Sequence, residues 1–211
     1  VAVTGHNPIT AYKAIFAGTG LNWFFPWVSG EARADAANDL QQTLILMAPL
    51  ILTALAVAFA FRCGLFNIGG QGQYWVGFAA ALFVGSHLEG LSCPLPILLA
   101  LAASIVAGAV WGGIAGLLKA TVGAHEVITT IMLNWIAIFG LTYLYEIGGP
   151  LQGPQESIPR SDQIFESAEL WPIWGSLPSL HAGIFIALAA LVVYSLILNR
   201  TTLGFEVRAV G

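Results

Sequence analysis

Long stretches without a charged residue constrain this chain more than any other feature of its sequence. Leu40 to Phe61 is uncharged over 22 residues, and further uncharged runs cover residues 63–88 and 91–118. A 22-residue helix is ~33 Å long, enough to cross a bilayer core of ~30 Å. Only 9% of the residues are charged and 57% are hydrophobic, whereas soluble domains average roughly 25% charged residues. This composition excludes a soluble enzyme and a nucleic-acid-binding protein with a basic face.

We therefore predict an all-α fold, a polytopic transmembrane helical bundle. The uncharged runs and the prolines that precede some of them place five spans along the chain. The spans are expected at residues 40–61, 74–88, 97–118, 127–147 and 182–199. Because the chain opens on Val1 rather than Met and stops soon after the last span, we expect it to be a fragment of a longer protein.

Basic residues orient these spans. If residues 1–39 lie outside the cell, the inner side receives four basic residues in short connections or just beyond a span. They are Arg62, Lys119, Arg200 and Arg208. The positive-inside rule then favours this orientation. It predicts an extracytoplasmic segment over 1–39, an outer loop over 148–181 and a cytoplasmic segment over 200–211, with Cys63 and Cys93 on opposite sides.

The segment at 62–73 interrupts an otherwise apolar pattern. It contains the amide residues Asn67, Gln71 and Gln73 and four glycines. Non-helical backbone at membrane depth is tolerated only where it faces protein or a water-filled cavity. We therefore predict a broken or re-entrant segment near 62–73, whose amides border the path of an uncharged polar solute. The alternative is an ordinary cytoplasmic turn with helix caps.

Asn134 lies about two turns inside the span at 127–147, where an amide requires a partner helix or a solute. Both roles stay open, and we include Asn134 among the solute-path residues. Gly108, Gly112 and Gly116 repeat at four-residue spacing, a small-residue stripe that predicts close helix packing.

No metal site, cofactor or catalytic residue is expected. His125-Glu126 resembles the start of a zinc-protease helix, but Thr129 stands where the second His is required.

Several of these stretches resemble the permease subunits of bacterial ABC importers for nucleosides and simple sugars. Their family also serves ribose and branched-chain amino acids. The matching stretches are residues 58–69 with Gly72-Gln73, 116–120, 126–134 and 201–211. Those permeases usually carry Glu before the Gly-Gln pair, whereas this chain has Gln71 at that position. This difference argues against a role for a charged side chain there. The resemblance also implies one further span before Val1 and several after Gly211.

The resemblance implies a multi-pass protein of the bacterial inner membrane that performs no covalent chemistry itself. Its expected partners are a cytoplasmic ATP-binding subunit, a second permease subunit and an extracytoplasmic solute-binding protein, in addition to the lipid bilayer. The segment from Arg200 through Phe205 and Arg208 would lead into the contact with the ATPase. The alternative is a self-sufficient secondary transporter or channel. It would need an ion-coupling carboxylate inside a span, for which Glu126 is the candidate.

Overall fold

The computed structural model describes residues 7–154, 157–174 and 180–211, and helices dominate these residues. The α-helices are α1 (Pro8–Gly18), α2 (Glu31–Arg62), α3 (Gly70–His87), α4 (Leu95–Val122), α5 (Glu126–Tyr145), α6 (Gly183–Arg200) and α7 (Thr202–Val210). Short 3-10 turns occupy Leu21–Phe24 and Glu166–Ala168. Two short antiparallel strands, β1 (Pro172–Trp174) and β2 (Leu180–His181), form a hairpin that the sequence did not predict. The all-α prediction is otherwise confirmed.

Four of the described helices are long and apolar enough to cross a membrane: α2, α4, α5 and α6. Each contains most of a predicted span. The predicted span at 74–88 falls in α3, which has 18 residues but begins earlier, at Gly70. It begins with Gln71 and Gln73 in its first turns, and its 18 residues are therefore less apolar than the most apolar 18-residue stretch of each of the other four helices. That α3 crosses the membrane stays a prediction. The predicted outer segment 1–39 also contains α1 and the first nine residues of α2.

The described residues form two compact units, and α2 and α6 each run from one into the other. The first unit covers Val1–Ile51 and Trp171–Ala190. Its buried core contains Ala48, Leu180, Ile184 and Ala187. Gly20 adopts a left-handed conformation with φ of 73° and lies directly against the backbone of α2 at Leu40. A side chain has no room there, so glycine lets the 3-10 turn that follows it pack on α2.

The second unit covers Leu52–Leu170 and Leu191–Gly211 and contains most of the predicted site. Helix α3 is its centre. Gly77 of α3 contacts Ser104 of α4, and Gln73 lies beside Gly108 and Gly112 of α4, so α3 and α4 run antiparallel. Gly69 and Gly72 lie beside Thr130 and Asn134 of α5, so α3 and α5 run parallel. Helices α3, α4 and α5 thus alternate in direction along the chain, as successive membrane crossings do.

Candidate functional site

The non-helical segment between α2 and α3 covers residues 63–69, and we call it the helix break. It is shorter than the predicted interruption at 62–73, because Arg62 still ends α2 and Gly70 already begins α3. Gly64, with φ of 68°, ends α2: its N–H donates to Phe61 O, and the N–H of Leu65 donates to Ala60 O. This Schellman arrangement needs a left-handed residue, which explains the glycine.

The helix break turns back alongside α2. Gly70 lies against Val57 and Thr53 of α2, with distances of 3.6 and 3.8 Å from the Cβ position that an added methyl would take. These residues precede Arg62 by five and nine positions, or about 7 to 14 Å along the helix. Helix α3 therefore begins beside a part of α2 that lies five to nine residues before its end, rather than beside the end itself. This re-entry distinguishes the helix break from an ordinary turn at the helix ends.

Asn134 of α5 caps the start of α3 from a neighbouring helix. Its Oδ1 accepts a hydrogen bond from the N–H of Gly72 (2.8 Å), and its Nδ2 donates to the carbonyl of Ile68 (3.0 Å). The first N–H groups of a helix lack partners within the helix, and the N-cap residue here, Gly69, has no side chain to supply one. A Cβ at Gly72 would lie 2.9 Å from Asn134 Oδ1. Glycine is thus required for this close approach.

Thr130 and Asn67 hold the rest of the helix break. The N–H of Ile68 donates to Thr130 Oγ1 (3.3 Å), and the N–H of Gly69 donates to Asn67 Oδ1 (2.7 Å). Thr130 and Asn134 are one turn apart on α5, and both are buried. Asn134 is eight residues after Glu126, about 12 Å along a helix whose 20 residues extend ~30 Å. That the backbone bound by Asn134 lies at membrane depth stays a prediction, with which this position along α5 is consistent.

The side chain of Gln73 lies over the glycine stripe of α4. A Cβ at Gly112 would stand 2.8 Å from Gln73 Nε2, and one at Gly108 would stand 3.5 Å from the Gln73 carbonyl. At Gly116 nothing lies within 4 Å of that position. Two of the three predicted packing glycines therefore lie against α3, and Gly116 faces open space. Trp111, on the same helix, directs a buried Nε1 towards Gly72, and this atom has no hydrogen-bond partner among the described residues.

Two cavities flank the start of α3. The first, of about 480 Å³, lies between α3 and α5, and we call it the α3–α5 cavity. The second, of about 460 Å³, is bounded by α2, α4, the helix break and the start of α5, and we call it the α2–α4 cavity. Gln71 lines the former, whereas Asn67 and Gln73 line the latter. The structure therefore does not bring the four predicted path residues together. It divides three of them between two cavities, with Asn134 bound to backbone.

Lys119 and Glu126 form an ion pair at the turn between α4 and α5. Lys119 Nζ lies 2.7 Å from Glu126 Oε2, and Gly123 ends α4 in the left-handed region with φ of 66°. Both charged residues line the α2–α4 cavity, at the end opposite to its contact with Gln73 and Gly112. Glu126 is therefore held by a cation at the first residue of its helix.

The residues predicted to contact an ATPase lie on α7 and at the end of α6. Thr201 caps α7 by accepting from the N–H of Gly204, and Gly204 lies directly against the carbonyls at the end of α6. Phe205 is 69% exposed, and Arg208 Nε donates to the carbonyl of Gly204. At the end of α7, Gly211 lies directly against the carbonyl of Arg62 and the N–H of Gly64. The segment thus contacts the beginning of the helix break.

Sequence reasoning missed several residues that shape this site. Thr130 precedes Asn134 by four positions, so helical spacing already places both on one face of α5. Trp75 and Phe78 share a face of α3 with Gln71, a pattern hidden because the helix was expected to start at residue 74 rather than at Gly70. No local sequence signal points to Arg160, which reaches the α3–α5 cavity from the loop after α5.

Known proteins resemble this chain over nearly its whole length. It is 44% identical to the guanosine ABC transporter permease protein NupP of Bacillus subtilis, over 99% of this chain and 56% of that protein. It is 37% identical to the nucleoside ABC transporter permease protein NupB of Lactococcus lactis, over 98% of this chain and 54% of that protein. It is 34% identical to the glucose ABC transporter permease protein TsgB13 of Haloferax volcanii, over 97% of this chain and 52% of that protein. No solved structure matches the chain.

The chain spans about half the length of the curated relatives that it matches. A sequence profile described as branched-chain amino acid transport system / permease component matches residues 40–211, which include α3 to α7 and most of α2. The described residues contain four apolar helices long enough to cross a bilayer, and together with this match they identify a multi-pass protein of the inner membrane. By this match and these identities, the chain belongs to the branched-chain amino acid transport system permease family of ABC transporters.

Proposed function

We propose that the protein is the membrane-spanning permease subunit of an ABC importer that translocates a nucleoside or a related simple sugar. The observation that carries the proposal is the helix break, whose polar backbone is held inside an apolar bundle between two cavities. The relatives support this substrate class, because their names specify guanosine, nucleosides and glucose. These solutes are uncharged and rich in hydroxyl groups.

The amides near the helix break suit such a solute. An amide side chain offers both donors and acceptors, which match hydroxyl groups and base edges without attracting ions. Gln71 serves the α3–α5 cavity, and Asn67 and Gln73 serve the α2–α4 cavity. Asn134 lies between them and closes the route in this conformation by binding Ile68 and Gly72. Passage of a solute requires this contact to shift, and the unpartnered Nε1 of Trp111 is a nearby donor.

Energy for that shift would come from a cytoplasmic ATP-binding subunit, since relatives of this kind are transport components rather than catalysts. Helix α7 is the proposed contact, through Arg200, Phe205 and Arg208. Because Gly211 touches the backbone at Arg62 and Gly64, a displacement of α7 reaches the helix break directly. A second permease subunit and an extracytoplasmic solute-binding protein complete the proposed importer.

The alternative, a secondary transporter coupled to an ion, depends on Glu126. An ion-coupling carboxylate must exchange its partner during each cycle, whereas Glu126 is paired with Lys119 at the turn between α4 and α5. Replacing Glu126 by Gln distinguishes the two mechanisms. If the protein is an ABC importer, the Glu126→Gln variant should retain ATP-dependent uptake, and this uptake should need no proton or sodium gradient. Loss of gradient-driven uptake in the variant would favour the alternative.

Reconstitution tests the proposal directly. The full-length permease is placed in liposomes with its ATP-binding subunit and solute-binding protein, and uptake of labelled guanosine, cytidine, ribose and glucose is measured. We expect uptake of at least one nucleoside that requires ATP hydrolysis and the solute-binding protein. Uptake of a sugar alone would correct the substrate, and uptake without ATP would overturn the importer class.

A further inference from the structure

The α3–α5 cavity has the size and lining of a small-molecule site. Its volume of about 480 Å³ falls within the roughly 300–1,000 Å³ typical of ligand pockets. One wall is a face of α3 that begins at Gln71 and ends at Leu82, and the other is the face of α5 from Ile138 to Tyr145. Because α3 and α5 run parallel, both walls extend from the level of the helix break to the loop that contains Arg160.

Aromatic rings form the middle of this cavity. Trp75 and Phe78 both line it, with ring centroids 6.1 Å apart and planes at 87°. Two perpendicular rings make a corner in which a flat heterocycle can stack on one ring and meet the edge of the other. Tyr145 adds a third aromatic residue to the lining. A nucleobase has the planar π-face that this corner requires, whereas a sugar ring does not.

Polar groups occupy the two ends of the cavity. Gln71 stands at the end near the helix break, and Arg160 with Ser161 stands at the other end. Among the lining residues that the structure describes none is acidic, so the ammonium group of an amino acid meets no counter-charge there. The lining thus favours a neutral solute with an aromatic part and hydroxyl groups over a branched-chain amino acid, although the latter names the family.

We propose that the α3–α5 cavity holds a nucleoside during transport, an inference that rests on the proposed function. The base stacks at Trp75 and Phe78, its edge faces Arg160, and the ribose hydroxyls face Gln71. Arginine donates two parallel hydrogen bonds to the adjacent O6 and N7 acceptors of a 6-oxopurine, and pyrimidines lack this pair. The cavity therefore prefers guanosine over cytidine.

Photolabelling locates the solute. The full-length permease complex is incubated with 8-azidoguanosine, irradiated, digested and analysed by mass spectrometry. We expect guanosine-protected labels that fragmentation of the peptides assigns to residues 75–82, 138–145 or 159–161. Labels confined to the α2–α4 cavity, or no protected label in a complex that transports guanosine, would overturn the inference.

Substitutions test the roles of the side chains. Trp75→Leu should lower the number of guanosine molecules imported per ATP hydrolysed at least about fivefold, the change expected from ~1 kcal/mol of lost stacking. Trp75→Phe should restore most of this transport. Trp135→Leu is the control, because Trp135 is another exposed tryptophan but lies on α5 outside the cavity. Arg160→Gln should reduce the guanosine-to-cytidine uptake ratio at least about fivefold.

These outcomes separate the inference from the function on which it rests. If the wild-type complex imports no nucleoside, the proposed function is wrong in its substrate. If it imports guanosine and Trp75→Leu behaves like Trp135→Leu, the transport function stands and the location of the solute is wrong. An equal loss in both tryptophan variants would indicate a packing role for Trp75 and would equally refute the assignment.

Discussion

Replacement of Asn134 by leucine tests the feature that defines the site, the capping of α3 by a side chain of α5. Leucine has the same number of side-chain heavy atoms as asparagine and the same branching, but it can neither donate nor accept a hydrogen bond. The substitution removes the contacts of Oδ1 with the Gly72 N–H and of Nδ2 with the Ile68 carbonyl. Both backbone groups then lose their partner in a buried region, since Asn134 is only 9% exposed.

The expected cost follows from these two bonds. Hydrogen bonds between membrane helices contribute about 0.6 kcal/mol on average and about 1.7 kcal/mol at most. An orphaned buried backbone group costs about 1–3 kcal/mol where no water replaces the partner. The two cavities beside the helix break are large enough to hold water, and a water bound to either backbone group would lower that cost. We therefore expect the free energy of unfolding to fall by about 1–3 kcal/mol, with α3 fraying at its first turn.

Two measurements check this expectation in the purified full-length protein. Unfolding in mixed micelles of increasing SDS content gives the free-energy difference, and amide hydrogen exchange reports on Gly72. Exchange at Gly72 should accelerate more than at Gln73, whose N–H stays bonded to the carbonyl of Gly69. If the free energy of unfolding stays within about 0.5 kcal/mol of wild type and exchange at Gly72 is unchanged, the capping role is refuted.

Three further predictions use neighbouring positions of the same helices. Thr130→Val should destabilise the protein by about 1 kcal/mol in the same SDS titration, because the Ile68 N–H loses its acceptor, whereas Thr129→Val removes only a bond within α5 and should change little. Gly112→Val should lower the melting temperature in detergent by displacing Gln73, whereas Gly113→Val enters open space; equal melting temperatures would contradict the close contact. Arg208→Glu should weaken co-purification of the ATP-binding subunit without changing membrane insertion, and an intact complex would exclude Arg208 from that contact.

The sequence was sufficient to predict the helices, because each helix follows from the composition of its own stretch of chain. Lipid cannot satisfy backbone polar groups, so each long uncharged run must form a helix, and the runs predicted most of α2, α4, α5 and α6. Two helix ends have an equally local cause, because the residue itself sets the backbone conformation, although the uncharged runs alone were used to predict where the spans end. Gly64 and Gly123 adopt the left-handed conformation that ends α2 and α4, and few other residues do so at low cost.

The start of α3 was misplaced because composition and structure conflict there. Gly70 and Gly72 are poor helix formers, and the polar amides of Gln71 and Gln73 are out of place in a membrane span. The interruption was therefore extended through residue 73. In the fold, Asn134 supplies the missing cap, which stabilises a helix start that local preference disfavours. Once these residues are helical, Gln71 and Gln73 are separated by about 200° of rotation. They cannot line the same cavity.

The sequence alone determined that the protein is an α-helical membrane bundle with polar residues interrupting it, because charge, hydropathy and glycine act within a few residues of where they stand. Only the tertiary structure decided what those polar residues touch. An amide can bind a solute, another helix or the backbone with the same atoms. Its partner depends on which group, distant in the chain, lies about 3 Å away, as the 62 residues between Gly72 and Asn134 illustrate.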